Sequence, residues 1–421
     1  GFSMRKFTLI LMVLLVFCTL GLAKTKITFW YAISGVSGEA VKALIDRFQA
    51  ENPDIVVEAI YSGKYADTAQ KITAALAANA LPNGGIIPAG PIFTGPRGNY
   101  AILDYMLKDP TFDMSDFYEG MWDYSKYKGK ICAVPYNIST PVLYYNKELM
   151  EKAGLDPTKP PTTWQELLEY SKKITQDTNS DGIPDIWGLN MADTAWIFKS
   201  FLLQNENDIV QAVPQKDDYE IIPLFDRPSA LETAEYWKQL IDEKAMPMGL
   251  HSLAEKQFLG NTLGFYLGTS ARIGTWTGNT SFDFGVGYLP KGKRLGIPIG
   301  GAVLVLFPAP KDQMDATYQL IKWLTQPDKV AEFSMKTGYI PIRKSSLALP
   351  EMKAFFETNP FYKTAFEQSE YAFSYWHFDA MGTMDGLITE VLEKIERGVS
   401  SPKEGMRWLQ ETTIEEIEAS L

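Results

Sequence analysis

Three groups of residues could carry chemistry. The first is Asp177-Thr178-Asn179-Ser180-Asp181-Gly182-Ile183-Pro184-Asp185, which sets oxygen-bearing side chains at alternate positions around a glycine. That spacing can wrap a hard cation such as Ca²⁺, with Asp177, Asn179, Asp181 and Asp185 as ligands. It forms a solvated Asx-turn equally well. The place where a helix-loop-helix site needs a bidentate carboxylate is taken by Gly188, so both readings stay open and a structural calcium is the one cofactor suggested. The second group holds the classical catalytic types. His251 and His377 lie far apart, outside HExxH and away from any cysteine pair, and no GxSxG, P-loop or strand-following GxGxxG is present. Acidic residues are so numerous that no glycosidase pair can be singled out. The expectation is a protein that performs no catalysis, with a secreted carbohydrate-active enzyme or a calcium-dependent adhesion module as rivals.

The third group is aromatic. Phe, Trp and Tyr make up 13% of the chain, and Trp187, Trp196, Trp276, Tyr339, Tyr375 and Trp376 stand near loops or element ends. Flat rings stack on the CH faces of sugars or glycerol, or hold a choline-like cation, while neighbouring hydroxyls and amides pair polyol oxygens. Rings also build cores, so each position alone supports either role.

The elements that must position these groups follow an alternating pattern. At 421 residues the chain exceeds what one core usually serves, which points to two lobes. Apolar content of 46% against 22% charged describes a folded chain, and a formal charge of −11 speaks against a nucleic-acid surface. Met4-Arg5-Lys6, the apolar run Phe7–Leu22 and the small residues around Ala23 read as a secretory signal peptide over residues 1–23, with Gly1–Ser3 ahead of the methionine as tag residues. A freely soluble export product is favoured over a lipid-anchored one, because Phe17 stands where a lipoprotein signal before Cys18 wants a small residue. Cys132 alone then remains, which leaves no internal disulfide and reads as a small buried hydrophobe.

Lys26–Ala32 reads as a first strand, followed by a helix capped at Ser37, a strand over Val56–Tyr61 and a helix over Thr68–Ala78. Strand, helix, strand, helix implies an α/β lobe with a mostly parallel sheet flanked by helices. Ligands of such sheets sit beyond the carboxyl ends of the strands, which places Tyr31, Ser34 and Tyr65 on the functional edge. Leu81–Gly98, crowded with Gly and Pro, reads as an irregular cleft-edge segment. Asn137-Ile138-Ser139-Thr140 reads as a polar turn before an apolar strand, Pro141–Tyr145; a capping box at Thr163–Glu166 opens a later helix. Ser139 and Thr140 face a cleft on this reading, or merely cap a turn. The small-residue stretches Gly268–Arg272, with Ser270, and Gly300-Gly301 could bring backbone amides close to a ligand, or simply end and begin strands. Helical spacing over Leu387–Ile395, Gly398 and a second capping box at Ser401–Glu404 close the chain.

Taken together these motifs resemble the extracellular solute-binding proteins of bacterial ABC importers, most closely the glycerol-3-phosphate and glycerophosphodiester binders. The resemblance rests on STPVLYYNK…AGLDP…PPTTWQEL in Ser139–Leu167, with Phe29-Trp30, Arg47–Asp54, Tyr61–Tyr65, Ile299–Ala302 and Lys336–Ile342 in the same order. It implies a two-lobed type II periplasmic-binding-protein fold. The N-lobe would be 24–138 and 286–342 and the C-lobe 139–285 and 343–421, with crossings near 136–141, 283–288 and 340–346. It further implies a monomer in the periplasm or outside the cell, with a small polyol, phosphorylated glycerol or sugar ligand and an ABC permease as partners. Position along the motif assigns ligand contacts to Tyr65, Ser139, Trp196, Ser270, Gly300, Gly301 and Tyr339; Tyr31, Ser34, Arg272 and Trp376 complete the candidate set. Two departures bear on the ligand. The Tyr-Glu pair that those relatives use for glycerol hydroxyls is replaced by Pro88-Ala89-Gly90, and their phosphate-binding Arg by Asp379-Ala380. Arg272, Arg97 or helix N-termini would have to meet a phosphate instead. A neutral mono- or oligosaccharide is the alternative ligand.

Overall fold

The computed structural model describes residues 24–89, 101–216, 218–373 and 377–420. Its strands are β1 (Thr25–Tyr31), β2 (Ile55–Tyr61), β3 (Gly84–Pro88), β4 (Lys126–Tyr127), β5 (Lys130–Ile131), β6 (Val134–Ser139), β7 (Pro141–Asn146), β8 (Trp187–Met191), β9 (Val210–Pro214), β10 (Tyr219–Pro223), β11 (Leu263–Thr269), β12 (Phe284–Gly287), β13 (Ile297–Pro298), β14 (Gly300–Leu306) and β15 (Ala372–Phe373). Two sheets carry the architecture, one in the order β2-β1-β3-β14-β6 and one in the order β12-β7-β11-β8. In each a single strand runs against the others: β14 lies antiparallel to β3 and β6, and β7 antiparallel to β11 and β12.

Helices cover the sheets through the stripes their spacing dictates. The helix Gly35–Glu51 buries Val41, Leu44, Ile45 and Phe48 against Ile27 and Phe29 of β1. Each such side chain withdrawn from water contributes roughly 1.5–3 kcal/mol. In the other half Leu143, Leu189 and Leu267 meet Ile197, Phe198, Phe201 and Trp237. Of the two expected capping boxes, the one at Ser401 closes in both directions, Glu404 N donating to Ser401 Oγ at 3.3 Å and Ser401 N to Glu404 Oε2 at 3.0 Å; at Thr163 the cap forms, Glu166 N donating to Thr163 Oγ1 at 3.2 Å, but the Glu166 carboxylate takes Thr162 N at 2.7 Å instead of the Thr163 amide.

Several expectations need correction. Leu81–Gly98 is not irregular throughout, because Gly84–Pro88 is a fully buried strand between β1 and β14. Its glycines are there for contact: a Cβ on Gly84 would lie 2.6 Å from Thr317 Cγ2, and one on Gly85 2.5 Å from the Trp30 carbonyl oxygen. Asn137–Ser139 belongs to β6 rather than to a turn, which leaves only Thr140 between β6 and β7. The first helix follows Ser34, not Ser37, and the second begins at Tyr65.

Strand pairing passes from the first sheet to the second at Thr140, and the chain keeps its pairing partners past residues 283–288 and 340–346. Residues 286–299 stay with the second sheet: β12 pairs with β7, Lys291 N donates to Thr162 O (2.9 Å), and β13 pairs with β15. Return to the first sheet waits for Gly300. Beyond residue 342, Arg343 still pairs with Asp116 (2.6 Å) and packs over Phe117, so the chain leaves the first half only through the helices Pro350–Thr358 and Pro360–Gln368. There Phe361 reaches Phe284 of β12 at 5.2 Å. Edge pairing of strands, not motif order, sets these boundaries.

Candidate functional site

The site grows from the place where β6 hands over to β7. Asn137, fully buried, donates from Nδ2 to the Tyr65 hydroxyl at 3.1 Å. Burial raises the proton affinity of the Tyr65 and Tyr339 phenols, most of all that of Tyr65, and each phenol acts on the other. Tyr339 is held by Phe333, stacked at 5.5 Å and 6°. Asn137 Oδ1 is buried without a partner. A carbonyl oxygen left orphaned costs about 1–3 kcal/mol, so such a group calls for an occupant.

Gly300 and Gly301 open the neighbouring strand, Gly300 opposite Ser139 and Gly301 opposite Ile138. Gly301 sits at φ +112°, and a Cβ there would fall 2.0 Å from the Asn137 carbonyl oxygen. The Tyr124 hydroxyl donates to the Gly301 carbonyl at 3.1 Å. A Cβ on Gly300 would lie 2.7 Å from Trp196 Cζ2, so the absent side chain leaves room for the indole. Trp196, half-buried, stands in the first turns of the helix Thr194–Gln204.

The second sheet supplies the other wall. Ser270 N donates to Thr140 O (2.9 Å) and Thr140 N to Ser270 Oγ (3.4 Å), while Thr140 Oγ1 is buried with no partner. Arg272 is exposed and joined in an ion pair to Glu255. Tyr31 ends β1 against Tyr61, rings 5.9 Å apart, and the exposed Ser34 spends no side-chain bond on capping the helix that follows. Tyr65, Ser139, Trp196, Gly300, Gly301 and Tyr339 are therefore brought together around β6 and β14, with Ser270 one step away across Thr140. Tyr31 and Ser34 share the strand edge but make no hydrogen bond to that group among the described residues. Trp376 and Arg97 lie outside the described residues.

One contributor escapes the sequence. Asn137 had a signal, a polar residue inside an otherwise apolar strand, but reading it as a turn hid it.

The acidic loop is closed on itself. Asp177 accepts from Gly182 N (2.8 Å) and Asp181 N (3.3 Å), Asn179 Oδ1 from Asp181 N (2.9 Å), and Asp185 from Thr178 N and Oγ1 and both nitrogens of Asn179. Among the described residues no three His, Cys, Asp or Glu side chains are grouped to hold a metal ion. The geometry is that of nested Asx-turns.

Residues 43–364 match the model of a bacterial extracellular solute-binding protein family. The chain is 28% identical over 374 residues to the sn-glycerol-3-phosphate-binding periplasmic protein UgpB of Yersinia pseudotuberculosis, covering 85% of this chain and 83% of that one. Among solved structures it resembles UgpB from Mycobacterium tuberculosis in complex with glycerophosphocholine (TM-score 0.80, 23% identity, 94% of this chain and 99% of that one). It also resembles a cyclic alpha-maltosyl-1,6-maltose binding protein from Arthrobacter globiformis (TM-score 0.77, 22% identity, 94% and 100%). The fold is thus that of the two-lobed type II solute-binding proteins of ABC importers. No helix among the described residues is long and apolar enough to cross a membrane.

Proposed function

Since the chain belongs to the bacterial extracellular solute-binding proteins, we propose that it captures a small hydroxyl-rich solute between its two sheet-centred halves and presents it, unaltered, to an ABC permease. Residues 1–23 direct export on this reading, and the protein works outside the cytoplasm as a monomer. The observation that supports the reading best is the Tyr65–Asn137–Tyr339 group. It combines two phenols, an orphaned amide oxygen and the Trp196 ring beside the side-chain-free strand start at Gly300. Hydroxyl donors and acceptors beside flat rings suit a polyol whose CH faces stack while its oxygens pair. Ligand binding supplies the free energy that favours the closed arrangement, which the permease then distinguishes from the open one.

The relatives named for sn-glycerol-3-phosphate make that compound or a glycerophosphodiester the first solute to test. A neutral mono- or oligosaccharide is the second, favoured by a specific observation: Arg272, the described arginine at the second wall, is already committed to Glu255. A phosphate would have to compete with that carboxylate for the forked contact. Thermal-shift and calorimetric titration of glycerol-3-phosphate, glycerophosphocholine and neutral oligosaccharides test both, because a ligand seen only by the folded state raises its melting temperature. Stoichiometric binding with the solute recovered intact is expected. Recovery of a converted product would overturn the reading in favour of an enzyme.

A further inference from the structure

We propose that Asp193 determines specificity in the cleft: its carboxylate accepts hydrogen bonds from neighbouring hydroxyls of the solute and excludes phosphorylated compounds, so the solute is an uncharged, sugar-like polyol. The proposal rests on the solute-binding reading given above and selects within it.

Placement comes from register. β8 and β11 run parallel with Met191 opposite Leu267, so Asp193, two residues past Met191, is level with Thr269 and adjoins the Ser270 turn. It immediately precedes the helix Thr194–Gln204, where an Asp ordinarily turns its carboxylate back onto the first amides. Its carbonyl accepts from Ile197 N at 3.0 Å, but the carboxylate forms no such cap and takes no hydrogen bond among the described residues. Trp196 follows three residues on, in the first turn of that helix. A carboxylate at the helix start and a ring in its first turn can serve one solute, the first taking hydroxyl protons and the second covering a CH face.

The surroundings decide what charge is tolerated. Asp193 is open to water, yet burial by the surrounding walls raises its proton affinity, the combination found on a concave surface rather than a convex one. Arg272 and Lys199 act on it favourably and Glu255 unfavourably. Both cations are engaged elsewhere, Arg272 with Glu255 and the buried Lys199 with Asp385 at 2.7 Å. Three carboxylates therefore face two cations, and the unpaired charge is negative. An anionic head group placed here meets repulsion from the Asp193 carboxylate, with no free cation among the named groups to offset it. Neutral hydroxyls meet a strong acceptor whose oxygens are not taken by a donor among the described residues.

The test uses the full chain, titrated by calorimetry with maltotriose, mannotriose, glycerol-3-phosphate and glycerophosphocholine. The unsubstituted protein should bind at least one trisaccharide a hundredfold or more tighter than glycerol-3-phosphate. Asp193→Asn, which keeps the shape and removes the charge, should weaken the trisaccharide tenfold or more and narrow its advantage over glycerol-3-phosphate. Asp193→Ala should weaken the trisaccharide further, with an unchanged melting temperature showing that the fold is intact. Tighter binding of glycerol-3-phosphate than of either trisaccharide overturns the proposal. So does trisaccharide binding that stays within twofold in both variants; in these two cases the solute-binding reading survives. If none of the four compounds binds the unsubstituted protein, the hydroxyl-rich reading falls and the proposal falls with it.

Discussion

The two halves meet along two seams of opposite character. Near the crossings the seam is made of backbone and small residues: Ser270 N donates to Thr140 O at 2.9 Å, and Gly274 and Gly338 bring the halves so close that a Cβ would lie 2.7 Å from the Lys336 carbonyl oxygen at the one and 2.7 Å from the Ser270 carbonyl oxygen at the other. The other seam is made of side-chain tips reaching from residues 124–128. The Tyr127 hydroxyl donates to Asp379 at 2.9 Å, Lys128 pairs with Asp218 at 2.6 Å, and Tyr124 meets His377 edge-on at 5.0 Å. Strand contacts buried with their backbone bonds intact are lost only with the fold. Contacts between polar tips are worth about 1 kcal/mol or less apiece where exposed, so they can break and re-form as one half moves. The difference assigns stability to the first seam and adjustable closure to the second, and substitutions should separate the two.

The largest effect belongs beside the first seam, where β14 enters the first sheet. Gly301→Val places a branched side chain at φ +112° and drives its Cβ into the Asn137 carbonyl, 2.0 Å away. Backbone strain alone costs about 1–3 kcal/mol, before the clash is counted. The variant should lose cooperative thermal unfolding or express insoluble, as read by circular dichroism and soluble yield. A native-like melt would show that this seam bends more readily than its packing indicates.

Next comes Trp196→Ala, where the ring lies between the seams. Affinity for the solute should fall more than tenfold, or about 1.4 kcal/mol, with the melting temperature of the free protein nearly unchanged. A superimposable titration curve would remove Trp196 from the site.

How much of this was legible beforehand depended on whether a residue's role is local. The cap at Thr163, the capping box at Ser401, the stripe Leu387–Ile395 and the left-handed Gly398 at φ +70° follow from short-range rules, and the structure bears them out. The strand Gly84–Pro88 was hidden because its glycines obey a long-range demand, the closeness of Thr317 and the Trp30 carbonyl, that no local pattern carries. Asn137 was misassigned for a related reason. Its polarity suggested a turn, whereas strand pairing with β14 keeps it in the sheet and turns its amide toward Tyr65. Asp193 was invisible, since its meaning comes from the neighbouring parallel strand and from charges Arg272 and Glu255 far along the chain.

The second seam carries a pH dependence. Burial, with Lys199 nearby, holds the His377 pKa down at about 3 from an ordinary 6.5. Because folding depresses this pKa, the folded state keeps the ring neutral while the unfolded state takes a proton. The contribution is complete above about 6.5 and is lost as the pH falls toward 3. Between pH 7 and 5 the unfolded state should gain about 2 kcal/mol on this account. His377→Gln should flatten that slope in urea unfolding, and an equal slope in both proteins would show that His377 does not carry it.

The smallest effect tests whether the polar seam does more than decorate the surface. Lys128 and Asp218 sit on the β4–β5 and β9–β10 hairpins of different halves, with side chains 40% and 43% exposed, so their attraction is screened by solvent and salt. Lys128→Ala and Asp218→Ala should each weaken solute binding by no more than about fivefold, within the range of an exposed pair. The losses should shrink at high salt. If the pair forms only when the halves approach, the double variant should be no worse than either single one, since removing one partner already breaks the contact. Strictly additive losses, or losses indifferent to salt, would show that the two residues act separately, and would leave Tyr127–Asp379 and Tyr124–His377 to hold that seam alone.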